Sequence, residues 1–280
     1  MVIKIAVAYH KDSIVLQDEH LIPIHVGKSL ATANLPFQGD NTGDNISEKN
    51  PLYCELTALY WLWKNVDADY KGLFHYRRAF CMPKDFYIRK IKEHVQQTVN
   101  LFLIPLRLKK NSVVSINYKY PNNQSFKQEV LRFSSRLEDE LKNGANILAP
   151  YPIKLWTSSV YDFFKGKGKF AINLLLEIVA KDYPPLRPYL EMTLKGQILY
   201  FGNMEIMDNE TFEDYCSMLF SVLKSHEEET IKRHYVNDLY NEMAYSRMSG
   251  YLAEIITCAY IRMSKLTGKI VKEYPVAFLE

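Results

Sequence analysis

Val2 to Ala8 reads Val-Ile-Lys-Ile-Ala-Val-Ala, and this run constrains the fold more than any other stretch of the chain. It is nearly continuously apolar and rich in β-branched residues. A strand buried on both faces of a parallel sheet reads this way, whereas a strand with one wet face alternates. The run ends in Tyr9-His10-Lys11-Asp12, a polar set at the strand's carboxyl end, where open α/β sheets bind their ligands. A second apolar segment, Leu21 to Val26, carries His25 near its end. A third, Asp69 to Phe74, is entered from a turn and exits into His75-Tyr76-Arg77-Arg78. Between them lie the polar loop Gly39 to Ser47 and a segment in which Leu52, Leu56, Leu59, Tyr60 and Trp63 share one helical face. Asn50-Pro51 opens that helix as N-cap and first-turn residue, and the pattern predicts one helix to about Asn65. The aromatic stripe reads as core packing before it reads as a cofactor box. Alternation of strand and helix predicts an α/β fold with a mainly parallel central sheet.

The pattern weakens from Ala79 to Lys142. Asn111 to Tyr120 reads as a strand, and Ser125-x-x-Gln128 as a capping box opening a helix that stops near Asn143-Gly144. Ile147-Leu148-Ala149 and Gly202 to Met207 read as two further strands. A helix starts near Asp208 or Thr211, and the remainder is helical to about Leu266, with a tight spot at Ser249-Gly250. We therefore expect an α/β core over residues 1–207 and a helical layer over 208–280, packed together as one structural domain. At 280 residues such a domain buries enough surface to stand without disulfides.

Composition removes several function classes. A net charge of +3 is too small for a nucleic-acid footprint, and no compact basic stripe with interleaved aromatics is present. Cys54, Cys81, Cys216 and Cys258 lie far apart, with no Cys-x-x-Cys pair, which excludes the usual zinc spacings and fits a reducing cytoplasm. Met1 to Ile5 lacks the pattern of a signal peptide. The longest apolar run, Val99 to Leu106, falls far short of the ~20 residues that span a bilayer. Lys84, Arg89, Lys90 and Lys92, followed by Arg107, Lys109 and Lys110, form either a solvated face or one that leans on an anionic lipid surface or a phosphate-bearing acceptor. Gly27-Lys28-Ser29 imitates the end of a phosphate-binding loop, but Ile22 stands where its first glycine would fall.

Two constellations remain. His75-Tyr76-Arg77-Arg78 places two guanidinium groups at a strand's ligand-binding end. A departing diphosphate gains charge in the transition state, and bidentate guanidinium groups can neutralise it as a metal ion does. The bland alternative is a pair of surface arginines bound to nearby carboxylates. Asp67-x-Asp69 resembles a metal-binding Asp-x-Asp, but it precedes the strand and reads as turn residues, so no metal site is expected. The second constellation, Gly39 to Ser47, offers Asp40, Asn41, Asp44 and Asn45 to ribose or sugar hydroxyls, and it can equally be a capped surface turn.

The runs Ala8-Tyr9-His10-Lys11, Ile22 to Gly27, Gly39 to Ser47, Asn50-Pro51, Cys54 to Trp61 and His75 to Arg78 resemble the capsular and exopolysaccharide glycosyltransferase family. That family was long labelled a domain of unknown function, and its members include candidate galactosyl- and galactofuranosyltransferases. The resemblance is dense over residues 4–80, thins from 81 to 195, and resumes at Asn203-Met204, Tyr215-Cys216 and Glu273 to Val276. It implies a GT-A-type single Rossmann-like domain that moves a hexose from a UDP-sugar to a lipid-linked oligosaccharide. The setting would be capsule, exopolysaccharide or O-antigen synthesis at the cytoplasmic face of the inner membrane, with no cofactor required. Tyr9, His10, Lys11 and His25 would flank the nucleotide, and Asp40, Asn41, Asp44 and Asn45 would hold ribose or donor sugar. His75 and Tyr76 would shape the pocket while Arg77 and Arg78 neutralise the diphosphate. The family's Ser-Glu-Arg-Leu-like stretch corresponds to Leu252-Ala253-Glu254-Ile255, which makes Glu254 a candidate base, with Asp44 the second. A solvent-exposed helix glutamate is the alternative for Glu254. A non-catalytic glycan- or nucleotide-binding subunit of the same fold is the alternative for the whole chain.

Overall fold

The structure, a computed structural model, describes residues 1–103, 117–155, 158–233 and 246–280. The expected strand β1 spans Ile3–Tyr9, and β2 spans Leu21–His25. A short β3, Gln38–Gly39, precedes helices α1 (Asn50–Tyr53) and α2 (Leu56–Asn65). Strand β4 (Tyr70–His75) turns back through Tyr76 and Arg77 into β5 (Arg78–Phe80), and α3 (Phe86–Leu103) follows. Next come β6 (Asn117–Tyr120), α4 (Asn123–Ser134), α5 (Leu137–Leu141), β7 (Ile147–Pro150) and β8 (Ile153–Lys154). The chain continues through α6 (Val160–Asp182), α7 (Arg187–Lys195), β9 (Ile198–Leu199), β10 (Glu205–Asp208) and α8 (Asn209–Lys232). It closes with α9 (Met248–Leu266), β11 (Val271–Tyr274) and β12 (Val276–Leu279).

The main sheet runs β11-β7-β10-β4-β1-β2-β3. Its β3-β2-β1-β4 half is parallel, and β10 is inserted antiparallel between β4 and β7. This is the mixed, largely parallel α/β sheet expected for the fold. Alternation along β1 divides the core. Ile5, Val7 and Tyr9 face a cluster built with Phe126, Val130 and Phe133 of α4. Ala6 and Ala8 face the larger cluster formed by α2 and α6 to α9. The two small alanines let that helical layer lie close on the sheet. Gly72 is small for a sharper reason, since a Cβ there would meet the Glu205 carbonyl oxygen at 2.4 Å. It lets β10 close onto β4.

Several local expectations are corrected. The helix expected from Asn50 to Asn65 is broken at Cys54, a non-glycine residue at φ 52°. Asn50 is the first helical residue rather than the cap, because its amide donates inward to the Cys54 carbonyl at 2.7 Å and so holds the break. The helix expected from Ser125 begins earlier, at Asn123, capped by Asn122, whose side chain accepts from the Ser125 amide. It also divides into α4 and α5. Of the strand expected over 111–120 only Asn117–Tyr120 falls in the described residues. Residues 104–116, with Arg107, Lys109 and Lys110, fall outside them, as do 234–245 in the expected C-terminal helical stretch. Helical packing begins well before residue 208, at α6, and β11 and β12 return the last residues to the sheet. No helix among the described residues is long and apolar enough to cross a membrane.

Candidate active site

The parallel half of the sheet sends β1 and β4 out side by side, with Ala8 paired to His75. His75 is also paired with Arg78 across the tight turn into β5, so Tyr76 and Arg77 form the tip. Tyr76 is buried and organises the exits. Its ring lies 4.4 Å from that of His75 and meets His10 edge-on at 5.2 Å. Lys11 Nζ stands 5.9 Å from the same ring and the Arg77 guanidinium 5.2 Å. Arg78 lies against Phe201, and a Cβ on Gly202 (φ 99°) would come within 3.3 Å of its Nη1. Arg247, just ahead of α9, completes the ring of cations.

These charges act on the two histidines. Burial, then Arg78, His10, Arg77 and Arg247, lowers the His75 pKa to about 3. Desolvation, then Lys11, Arg77 and Arg247, lowers that of His10. Both imidazoles are therefore neutral near pH 7, and the positive charge belongs to Lys11, Arg77, Arg78 and Arg247. None of these four is ion-paired to a carboxylate among the described residues. The surface-ion-pair reading of Arg77 and Arg78 has no support there. These four cations give the mouth of the sheet a positive field, and Arg247 alone shares the cavity with Glu55 and feels its charge.

A cavity of about 270 Å³ opens beneath them, lined by His10, Val26, Asn50, Cys54, Glu55, His75 and Arg247 among others. The break at Cys54 aims the next residue, Glu55, into it. Asn203, itself in the left-handed region at φ 47°, donates to Glu55 Oε1 at 3.0 Å and to the Gly250 carbonyl at 3.1 Å. One amide thus joins α2 to the start of α9. The Cys54 thiol is pushed up to about 11 by burial and then by Glu55. Behind Glu55 lies Glu205 on β10, fully buried, with no hydrogen-bond partner among the described residues for either carboxyl oxygen. Burial, and then the charge of Glu55, raise its pKa to about 8, so it is mostly protonated at neutral pH.

The remaining expected residues stand elsewhere. Tyr9 points into the core, where its hydroxyl donates to the Ile14 carbonyl and accepts from the Leu16 amide, shaping the segment after β1. His25 is buried, with its pKa lowered by burial and then by Lys28. Asp40 is buried and accepts from the Gly27 and Lys28 amides and the Ser47 hydroxyl at 2.8, 3.0 and 2.5 Å. Asp44 accepts from Tyr60 at 3.1 Å, and its backbone is clasped by Asn65. Asn45 bonds within its own turn, to Gly43 and Ser47, while Asn41 is exposed. No residue of the 39–47 loop lines the cavity. Glu254 is 8% exposed, which corrects the solvent-exposed alternative, and its charge acts on Cys54 from the α9 side. Asp69 accepts from the Val2 amide at 2.7 Å, ahead of β4, and Asp67 is exposed.

Sequence reasoning passed over Glu55, Arg247, Asn203 and Glu205. Glu55 lay within a recognised run but was absorbed into a helical pattern. Arg247 is nearly two hundred residues from its neighbours in the cleft and has no local signal at all.

The sequence family described as "Domain of unknown function (DUF4422)" matches residues 4–265. No curated protein matches the chain. A solved structure titled "WbbM bifunctional glycosytransferase apo structure" is similar over the whole chain, at 27% identity and a TM-score of 0.77. The match covers 46% of that protein, so this chain spans less than half its length.

Proposed function

This chain belongs to the DUF4422 family, and we propose that it is a glycosyltransferase that moves a hexose from a nucleotide diphosphate sugar to a glycan acceptor. The observation that carries the reading is the ring of Lys11, Arg77, Arg78 and Arg247, none of them ion-paired among the described residues, at the carboxyl ends of β1 and β4. The similarity to a solved glycosyltransferase supports it. UDP is the favoured carrier, galactose or galactofuranose the favoured sugar, and a lipid-linked oligosaccharide the favoured acceptor.

In this reading the donor's diphosphate lies against Lys11, Arg77, Arg78 and Arg247. As the bond from the anomeric carbon to the diphosphate oxygen breaks, charge grows on that oxygen, and preorganised cations stabilise it. This supplies without a metal what a divalent ion supplies elsewhere. His10 and His75, held neutral, offer hydrogen bonds without adding charge. For an inverting transfer the acceptor hydroxyl must lose a proton to a carboxylate opposite the leaving group. Glu55 lines the cavity and is oriented by Asn203, which makes it a stronger candidate base than Asp44, bound to Tyr60 beside α2. Glu254, the other candidate base, does not line the cavity, and its charge acts on Cys54. Glu205, buried behind Glu55, keeps its proton at neutral pH.

Thermal-shift titration with UDP, other nucleotide diphosphates and their sugars, with manganese and with EDTA, tests the reading. Stabilisation by one nucleotide family, unchanged by EDTA, is expected, together with release of that diphosphate from a donor sugar. Binding without release across a broad donor and acceptor panel would assign the chain to the non-catalytic binding class.

A further inference from the structure

Helix α3 rests on the rest of the protein by its first turn and is otherwise exposed along its described residues. Phe86, Arg89 and Lys90 make the contacts. Phe86 packs edge-on against Tyr151, Arg89 lies 4.2 Å from the Tyr118 ring centre, and Lys90 lies 5.3 Å from that of Tyr151. The opposite side carries Tyr87, Ile88, Ile91, Val95 and Val99, exposed by 75, 57, 66, 57 and 42%. At helical spacing these five form one continuous stripe. An apolar stripe of this size, held out on an exposed helix, calls for an occupant.

The neighbouring surface says which one. A cavity of about 570 Å³ opens at the first turn of α3, with an apolar floor that includes Cys81, Met82 and Tyr274. Five cations line it against two carboxylates, Glu140 and Glu273. Glu140 is hydrogen-bonded to Tyr274 and Glu273 to Tyr200 and Lys265, so neither neutralises Lys84, Lys90 or Arg136. Those three form no ion pair among the described residues. An apolar stripe beside an unneutralised cationic hollow is complementary to the phosphate layer and acyl boundary of an anionic bilayer. A second copy of this chain would bring the same positive charge.

We propose that α3 and the cavity beside it form a docking surface for anionic phospholipid bilayers. The stripe enters the acyl boundary while Lys84, Lys90 and Arg136 take headgroup phosphates. Strand β5 leads from Arg78 in the cleft to Phe80, and the cavity begins at Cys81, about 10 Å further along the chain. A docked bilayer would thus lie beside the active-site mouth. This deepens the proposed function by naming how the protein reaches a lipid-linked acceptor, and it rests on that reading only for the acceptor's place. Binding is measured on vesicles that contain no acceptor, so failure of docking and failure of transfer are separable.

The test is flotation of the whole chain with phosphatidylcholine vesicles and with vesicles containing phosphatidylglycerol, at low and high salt. Preference for the anionic vesicles, weakened by salt, is expected. The double variant Ile91→Glu/Val95→Glu should lose at least ~10-fold in partitioning, since it puts charge where two apolar side chains would be buried. Lys84→Glu/Arg136→Glu should lose about 10-fold, on anionic vesicles alone. All of these side chains except Arg136 are on α3 or at its approach, so the thermal transition of each variant is compared with that of the parent. Should either double variant lose its cooperative transition, Tyr87→Ser and Lys84→Gln read the same two contributions singly. Equal flotation of parent and stripe variants overturns the proposal. So does a parent dimer, seen by light scattering, that the stripe variant converts to monomer without change in flotation.

Discussion

Two polar regions border the cleft, and they differ in what their side chains have left to give. The 39–47 loop is saturated by its own chain. Asp40 takes two amides and a hydroxyl, Thr42 takes the Trp61 indole, and Asp44 takes Tyr60. The strand exits are the reverse. Lys11, Arg77, Arg78 and Arg247 stand around two neutral histidines without an ion pair among the described residues, and Glu55 acts on Arg247 alone. Both regions are rich in residues that bind sugars and phosphates, and composition does not separate them. Satisfaction does. Polar groups that are already paired hold a shape, while unpaired charge beside a cavity is available to a ligand.

The comparison predicts opposite signatures on substitution. Arg78→Ala should cut donor turnover about 100- to 1000-fold, the loss expected for one preorganised charge at a developing anion, while the thermal midpoint stays near that of the parent. Steady-state release of nucleotide diphosphate measures it, and unchanged turnover would remove the cleft from the chemistry. Asp40→Ala should do the reverse. Leaving two amides and a hydroxyl without their buried acceptor should cost on the order of 3 kcal/mol of stability, with turnover per folded molecule within about 3-fold. Chemical denaturation beside an active-fraction assay separates the two.

Glu205 sharpens the contrast through pH. Its folded pKa of about 8 lies above the ~4.3 of an unfolded glutamate, so between those values the folded state binds more protons. Its contribution is fully present below about pH 4 and is lost as pH rises to about 8, beyond which it levels off. Glu205→Gln should therefore gain about 2 kcal/mol relative to the parent at pH 6, more as pH rises towards 8, and under about 1 kcal/mol at pH 4.5. A pH-independent difference in denaturation midpoints would mean that the carboxyl is ionised throughout. The smallest effect belongs to the exposed end of the loop. Tyr60→Phe, which removes the donor to Asp44, should cost about 0.5 kcal/mol and leave turnover unaltered. A 100-fold fall in turnover on Asp44→Asn would return Asp44 to the place of catalytic base.

Much of the fold was legible because it is written in local periodicity. The unbroken run at Val2 to Ala8 and the apolar segments ending at His25 and Phe74 became three adjacent parallel strands. Their polar exits lie together at one end of the sheet for the same reason. The failures have physical causes too. Apolar spacing from Leu52 to Trp63 reports one face of a helix, and the break at Cys54 preserves that face, so periodicity could not register it. Pairing partners were equally invisible. Asp40 reads as a ligand-binding carboxylate until the amides of Gly27 and Lys28 are brought to it.

From its sequence alone this chain determined a largely parallel α/β sheet and the positions of His10, Lys11, His75, Tyr76, Arg77 and Arg78 at one end of it. Strand patterning and the carboxyl-end position are properties of contiguous residues. Only the tertiary structure decided that Glu55 and Arg247 share a cavity, that Asn203 ties α2 to α9, and that Glu205 is buried beside Glu55. Desolvation and charge coupling depend on what surrounds a group in space, and the residues that supply those surroundings here are separated by up to about two hundred positions of chain.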